Sequence, residues 1–167
     1  MKYNTRHVIE GAIADVITVG LDRSRDVKVY PNVTSCKVKK SEKKGNKLCV
    51  EIETVANGDI PPNLRNLINP KMLTWIETGE FDFDKNEYFY TVRTFYFSNV
   101  TKISGLIKYF KEGEDKTIRT LDGEIKINIP ILGAIAEKKI VEIQKANLEL
   151  DIKNMRDEVR ELQKKKG

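Results

Sequence analysis

The side chains able to do chemistry in this chain are few in kind. There is one histidine, His7, there are two cysteines, Cys36 and Cys49, and acidic residues stand two apart as Glu51 with Glu53, Glu80 with Asp82, and Asp82 with Asp84. A lone histidine in a strand-like segment is expected to be structural, with ligand binding or proton transfer as the sharper use. Carboxylates two apart on a strand project to one face, and their alternation with apolar neighbours marks that face as the solvent side. A zinc site would need Cys or His in close-spaced pairs, which are absent, so no metal is expected. There is no Gly-x-Ser-x-Gly elbow, no phosphate loop and no Gly-x-Gly-x-x-Gly, so serine hydrolysis and nucleotide chemistry are not expected, and neither is a cofactor. Arg93 shares its face with Phe89, Thr91, Phe95 and Phe97. A guanidinium among aromatics either stacks on a ring at the surface or sits in a pocket for an anion.

The elements that would position these residues alternate in period. Lys2 to Glu10 reads as a strand, Ala12 to Leu21 as a short helix with Ile13, Val16, Ile17 and Leu21 on one side, and Asp22 to Tyr30 as a second short helix or irregular turn. Val33 to Ser41 and Lys47 to Val55 form a hairpin around Gly45-Asn46, and Pro61 to Ile68 reads as one or two helical turns. Met72 to Phe83 and Glu87 to Phe97 then pair, the first with Leu73, Trp75, Phe81 and Phe83 on one face. The second strand is apolar on both faces, which requires cover on both or one face turned to a cavity or partner. Lys102 to Lys111 and Lys116 to Ile129 complete the meander, with Asp122-Gly123 read as a glycine bulge in one long strand. Ile125, Ile127 and Ile129 share a face, Pro130 ends the ladder and starts a helix, and that helix runs unbroken from Ile131 to about Gln163.

A chain of 167 residues is one domain by length, 1–167, and its 33% charged and 40% hydrophobic residues are those of a folded protein. The apolar stretch Val8 to Leu21 is interrupted by Glu10 and Asp15, so it is neither a signal peptide nor a membrane span, and a cytoplasmic protein with two reduced thiols is expected. Net charge is +5, and Lys37, Lys39, Lys40, Lys43, Lys44 and Lys47 crowd the first hairpin tip. They block edge pairing, or Lys39, Lys40, Lys43 and Lys44 touch an anionic membrane or headgroup. No aromatic interleaves them to stack a base, so no nucleic acid is expected. Along the last helix, Leu148, Ile152, Met155, Val159 and Leu162 recur at spacings of four and three, a seam that either packs on its own domain or forms a homodimer.

In its order of elements the chain resembles the START-like (SRPBCC) superfamily, an α+β helix-grip fold in which a curved antiparallel sheet of about six to seven strands wraps a long C-terminal helix, with two short helices after the first strand. The resemblance rests on Asp59-Ile60-Pro61-Pro62-Asn63-Leu64-Arg65, on Leu73-Thr74-Trp75, and on Ile129-Pro130-Ile131-Leu132-Gly133-Ala134-Ile135-Ala136-Glu137, and it is nearest to a little-characterised prokaryotic START-like family. More distantly the chain is similar to the PRELI phospholipid-transfer domains. The resemblance implies a cavity between sheet and helix that takes a lipid, sterol or polyketide-like molecule. Trp75, Phe81, Phe95, Ile125, Ile127, Ile135 and Ile143 would line it, with Arg93 or a tyrosine hydroxyl such as that of Tyr90 holding a polar end. Three readings stand: a non-catalytic carrier of a hydrophobic ligand, an interaction module working through the last helix, and a small enzyme of the cyclase or hydratase type.

Overall fold

The structure, a computed structural model, describes residues 1–57, 62 and 73–167. Seven strands form one antiparallel sheet: β1 (Lys2–Glu10), β2 (Val33–Lys44), β3 (Lys47–Ala56), β4 (Thr74–Asp82), β5 (Glu87–Thr94), β6 (Thr101–Lys111) and β7 (Lys116–Ile127), in the order β1-β7-β6-β5-β4-β3-β2. Between β1 and β2 lie α1 (Ile13–Leu21), a 3₁₀ turn (Arg23–Arg25) and α2 (Asp26–Val29), and the chain continues from β7 into α3 (Leu132–Lys166). Local chemistry sets the hairpins. Gly45 and Gly113 take the left-handed backbone at two tips, and Asn86 does so between β4 and β5, where Asp82 Oδ1 also accepts from the amides of Asp84 and Lys85.

Inward-facing residues alternate along each strand and meet the helices. The core joins Tyr3 and Ile9 of β1, Phe81 of β4, Tyr88 of β5, Ile107 and Tyr109 of β6, and Leu121 and Ile125 of β7 with Val16, Ile17 and Val19 of α1 and Val141, Leu148, Ile152, Met155 and Val159 of α3. The 35 residues of α3 span about 52 Å, and the helix packs on β1, β7, α1 and α2. No described helix is long and apolar enough to cross a membrane.

One alternative left open by the sequence is decided, and two expectations are corrected. The seam on α3 is internal: Leu148, Ile152, Met155 and Val159 are buried in the protein's own core and Leu162 packs against it, so this face is spent on folding rather than on a homodimer. There is no bulge at Asp122-Gly123, because β7 pairs in unbroken register with β1 and β6 through both residues; the register shifts lie in β2. Nor does Pro130 open the helix. β7 ends at Ile127, and the amide of Leu132 bonds the Pro130 carbonyl at 2.7 Å around Ile131, whose φ is 67° and ψ −48°. That is a γ-turn of the strained hand, so α3 begins only after it. The helical turns expected at Pro61 to Ile68, the segment Asp59 to Arg65 and the start at Met72 lie outside the described residues, Pro62 apart.

Candidate ligand-binding site

The ends of β3, β5 and β7 and the starts of β4, β6 and α3 converge at one end of the sheet, which forms the mouth of the grip. On the inner face at this end stand Trp75 of β4, Tyr90 and Val92 of β5, Ile103 of β6 and Ile127 of β7, all half-buried. Towards the opposite end the same face is closed over, with Phe81, Ile107, Tyr109 and Leu121 buried and the rings of Phe81 and Tyr109 6.3 Å apart. The centre of the inner face is thus closed at the far end, where only Leu48 and Val50 of the flanking β3 stay half-buried, and is incompletely covered at the mouth.

Three tyrosines lie flat on the middle of this face, each where the neighbouring strand carries glycine. A Cβ added to Gly79, Gly105 or Gly123 would meet Tyr88, Tyr90 or Tyr3 at 2.0, 2.4 or 2.3 Å. The missing side chains let the rings rest on bare backbone, a close approach only glycine permits. The Tyr3 and Tyr90 hydroxyls lie near one another, and burial pushes both above the ordinary tyrosine range, Tyr90 far above it.

Beside the tyrosines runs a charged network. Arg23 donates from Nη1 to Glu77 Oε1 at 2.6 Å and from Nε to Asp26 Oδ2 at 2.9 Å, while the Tyr88 hydroxyl donates to the same Glu77 oxygen at 2.6 Å. Burial works against the Arg23 charge, yet Glu77 and Asp26 hold its guanidinium protonated more firmly than usual. Burial raises Asp26 above the usual carboxylate range despite Arg23, and lifts Tyr88 and Tyr30 far above the tyrosine range. A second group joins Arg25 and Arg119 to the two oxygens of Asp151 at 2.9 and 3.3 Å, with Arg25 also on Asn154 at 2.6 Å. Three arginines face three carboxylates, so the interior is polar but close to neutral.

The structure brings together some of the residues singled out from sequence and separates others. Trp75, Tyr90 and Ile127 share the inner face at the mouth; Phe81 and Ile125 share that face but are fully buried in the core. Arg93 and Phe95 are corrected. Arg93 is exposed on the outer face, because inward and outward positions alternate and Val92 takes the inner one, while Phe95 lies past the end of β5 and is 51% exposed. Ile135 and Ile143 are also exposed, at 62% and 42%, since α3 turns Val141 rather than these towards the sheet. Lys39, Lys40, Lys43 and Lys44 run along the exposed β2 edge near the hairpin tip, at the end away from the mouth. There Lys40 and Lys44 pair with Glu42 and Lys43 sits 5.2 Å over the Phe83 ring. His7 packs between β1 and α3 with Nε2 2.9 Å from Glu149, and both cysteines are free thiols, burial pushing Cys36 up to about 11.

Sequence reasoning missed Arg23, Asp26, Glu77, Tyr88, Arg119 and Asp151. A signal existed for Glu77, which has the parity of Trp75 and Phe81 on one strand and therefore had to face inward. Among the described residues, two concavities stand out, and both are shallow and outside the grip. One of about 450 Å³ lies between β1 and α3 at His7, Lys145 and Glu149, and one of about 180 Å³ lies between α1 and the end of α3 at Thr18, Arg25 and Glu158. Arg6, His7, Lys145 and Glu149 rim the larger, and Asp22, Glu158, Glu161 and Lys165 the smaller. The inner face at the mouth therefore remains the better candidate, on its apolar surface and its buried polar groups. No group of His, Cys, Asp and Glu among the described residues could hold a metal.

No family model and no curated protein matches the sequence. Solved structures do match the fold. A protein from Thermus thermophilus superposes with a TM-score of 0.71 at 17% identity, covering 97% of this chain and 99% of that one. The Zhui aromatase/cyclase from a Streptomyces species gives 0.66 at 13% identity, over 96% and 93%. A START superfamily protein from Mycobacterium smegmatis gives 0.59 at 12% identity, over 96% and 98%. The chain has the START-like helix-grip fold.

Proposed function

We propose that this chain binds an apolar small molecule with a polar end, held between the inner face of the sheet and α3 and reached through the mouth. The observation that carries the reading is that Trp75, Tyr90, Val92, Ile103 and Ile127 stand together half-buried at the mouth, while Phe81, Ile107, Tyr109 and Leu121 further along the same face are buried. Each methylene of a ligand laid on that surface contributes about 0.8 kcal/mol. The Tyr3 and Tyr90 hydroxyls are placed to meet the polar end, and the likeness to a START superfamily protein and an aromatase/cyclase supports a ligand-holding use of the fold.

Carriage is favoured over catalysis by the interior charges. Glu77 and Asp26 are held by Arg23 and Asp151 by Arg25 and Arg119, so the inward carboxylates are neutralised by fixed partners instead of standing free as acids or bases. An enzyme reading would rest on Glu77 and Tyr88.

Trp75 is the only tryptophan and stands at the proposed site, which makes it the reporter. Titration with anilinonaphthalene sulfonate or oleate is expected to quench or blue-shift its emission saturably, and Ile103→Asn to weaken the response. An unchanged Trp75 signal across such probes overturns the reading.

A further inference from the structure

The rim of the mouth carries an apolar cluster and a row of cations, and neither is used by the fold. Phe95, Tyr96 and Phe97, between β5 and β6, are each about half exposed, while Ile131 is 89% exposed and Leu132 and Ile135 stand out beside it. The two segments are stitched together, since the Asn128 amide donates to the Val100 carbonyl at 2.8 Å and the amides of Val100 and Thr101 to the carbonyl of Phe97. Phe97 and Ile131 also hold left-handed backbone, at φ 56° and 67°. A β-branched residue there is strained, and strain of that kind collects at functional sites. Here it holds an isoleucine side chain in the open.

The cations lie on the outer face just below. Lys102 stands directly opposite Lys126 across β6 and β7, and one step beyond the Val92–Ile103 pair Arg93 faces Lys102 from β5. Three exposed cations thus sit side by side on neighbouring strands, and none has a carboxylate within ion-pair distance among the described residues. Glu124 lies two residues from Lys126 along β7, and Glu137 is taken up by the Ile127 amide and the Met1 amine. Like charges directly opposite on a sheet destabilise it unless an anion is brought to them.

We infer that this rim docks on an anionic lipid bilayer, with Ile131, Leu132, Phe95 and Phe97 entering the interface and Arg93, Lys102 and Lys126 meeting the headgroups. An apolar surface flanked by cations is the chemistry of interfacial binding. The aliphatic half of the cluster separates this from single-stranded nucleic acid, because Ile131, Leu132 and Ile135 offer no ring on which a base could stack. The inference rests on the ligand reading, in that a mouth touching the bilayer could load from it. Its test is independent, because docking is read on bulk phospholipid and ligand entry on Trp75.

The test is co-sedimentation with vesicles of phosphatidylcholine mixed with phosphatidylglycerol at roughly two to one, against vesicles of phosphatidylcholine alone and a single-stranded oligonucleotide. The wild-type protein is expected to bind the anionic vesicles, and to lose binding as salt shortens the Debye length from about 10 Å at 0.1 M to 3 Å at 1 M. The variant Arg93→Glu with Lys102→Glu and Lys126→Glu is expected to bind at least about a hundredfold more weakly. Ile131→Asn is the second probe. Ile131 is 89% exposed, so this variant is expected to melt no lower than wild type while binding vesicles less, a pairing that a purely structural Ile131 would not give. No binding to anionic vesicles, equal binding to both kinds of vesicle, full binding by the charge-reversed variant, or tighter binding to the oligonucleotide overturns the inference.

Discussion

The ring of Tyr90 rests on Gly105, so closely that a Cβ on the glycine would stand 2.4 Å from Tyr90 Cζ. The same arrangement holds for Tyr88 over Gly79 and Tyr3 over Gly123. Gly105→Ala must therefore move Tyr90 or the strand, and a loss of roughly 2 to 4 kcal/mol is expected by denaturant unfolding. In the double variant with Tyr90→Ala, the two losses are expected to fall short of their sum by more than about 1 kcal/mol. Additive losses would show that ring and glycine do not share the space.

Glu77 takes hydrogen bonds from Arg23 and Tyr88 inside the protein. Glu77→Gln keeps the shape but leaves the Arg23 charge with Asp26 alone. Because Arg23 is partly solvated, the lower end of the cost of breaking a buried pair applies, about 3 kcal/mol. A change under about 0.5 kcal/mol in chemical unfolding would contradict the role given to the pair.

Alkaline pH should unfold this protein early. Tyr30, Tyr88 and Tyr90 are held far above their ordinary value by burial, and Cys36 is pushed up to about 11. The unfolded chain therefore releases these protons first, so it binds fewer than the native state and stability falls as pH rises. The fall begins near pH 9 with Cys36 and steepens above 10, where each tyrosine adds about 1.4 kcal/mol per pH unit. Unfolding midpoints measured between neutral pH and 11 check this, and a flat profile would contradict it.

The α3 seam separates folding from association. Ile152 and Val159 are fully buried against the protein's own core, so Ile152→Lys and Val159→Lys are expected to unfold the chain, and Ile152→Ala to cost about 2 to 5 kcal/mol. Circular dichroism with size-exclusion chromatography decides. A folded lysine variant of altered oligomeric state would restore the interaction-module reading.

Much of the architecture was legible in the sequence because period-2 and period-3.6 patterns and hairpin tips are local. β1 and the start of β7 fall where alternation put them, and Trp75 and Phe81 share one face of β4 as their spacing requires. Heptad spacing could not distinguish an intramolecular from an intermolecular partner, so the use of Leu148 to Val159 stayed open until α1 was seen beneath them. Gly123 read as a bulge because nothing local reveals that Tyr3, 120 residues earlier, lies across it. Arg93 and Phe95 misled because β5 is apolar on both faces, and an aromatic pattern does not say which face is the inside. The charged network joins the α1–α2 connection to β4, β7 and α3, and those pairings exist only in three dimensions.

The central claim is that the space above Trp75 and Tyr90 holds an apolar molecule, and it is tested most directly by native mass spectrometry of freshly purified protein, followed by organic extraction of whatever is released. The account predicts a near-stoichiometric adduct of an apolar compound with a polar end, lost or reduced in Ile103→Asn. An unadducted wild-type protein whose melting temperature is unmoved by a panel of lipids and aromatic acids would contradict it, since any ligand bound only by the folded state must raise its stability.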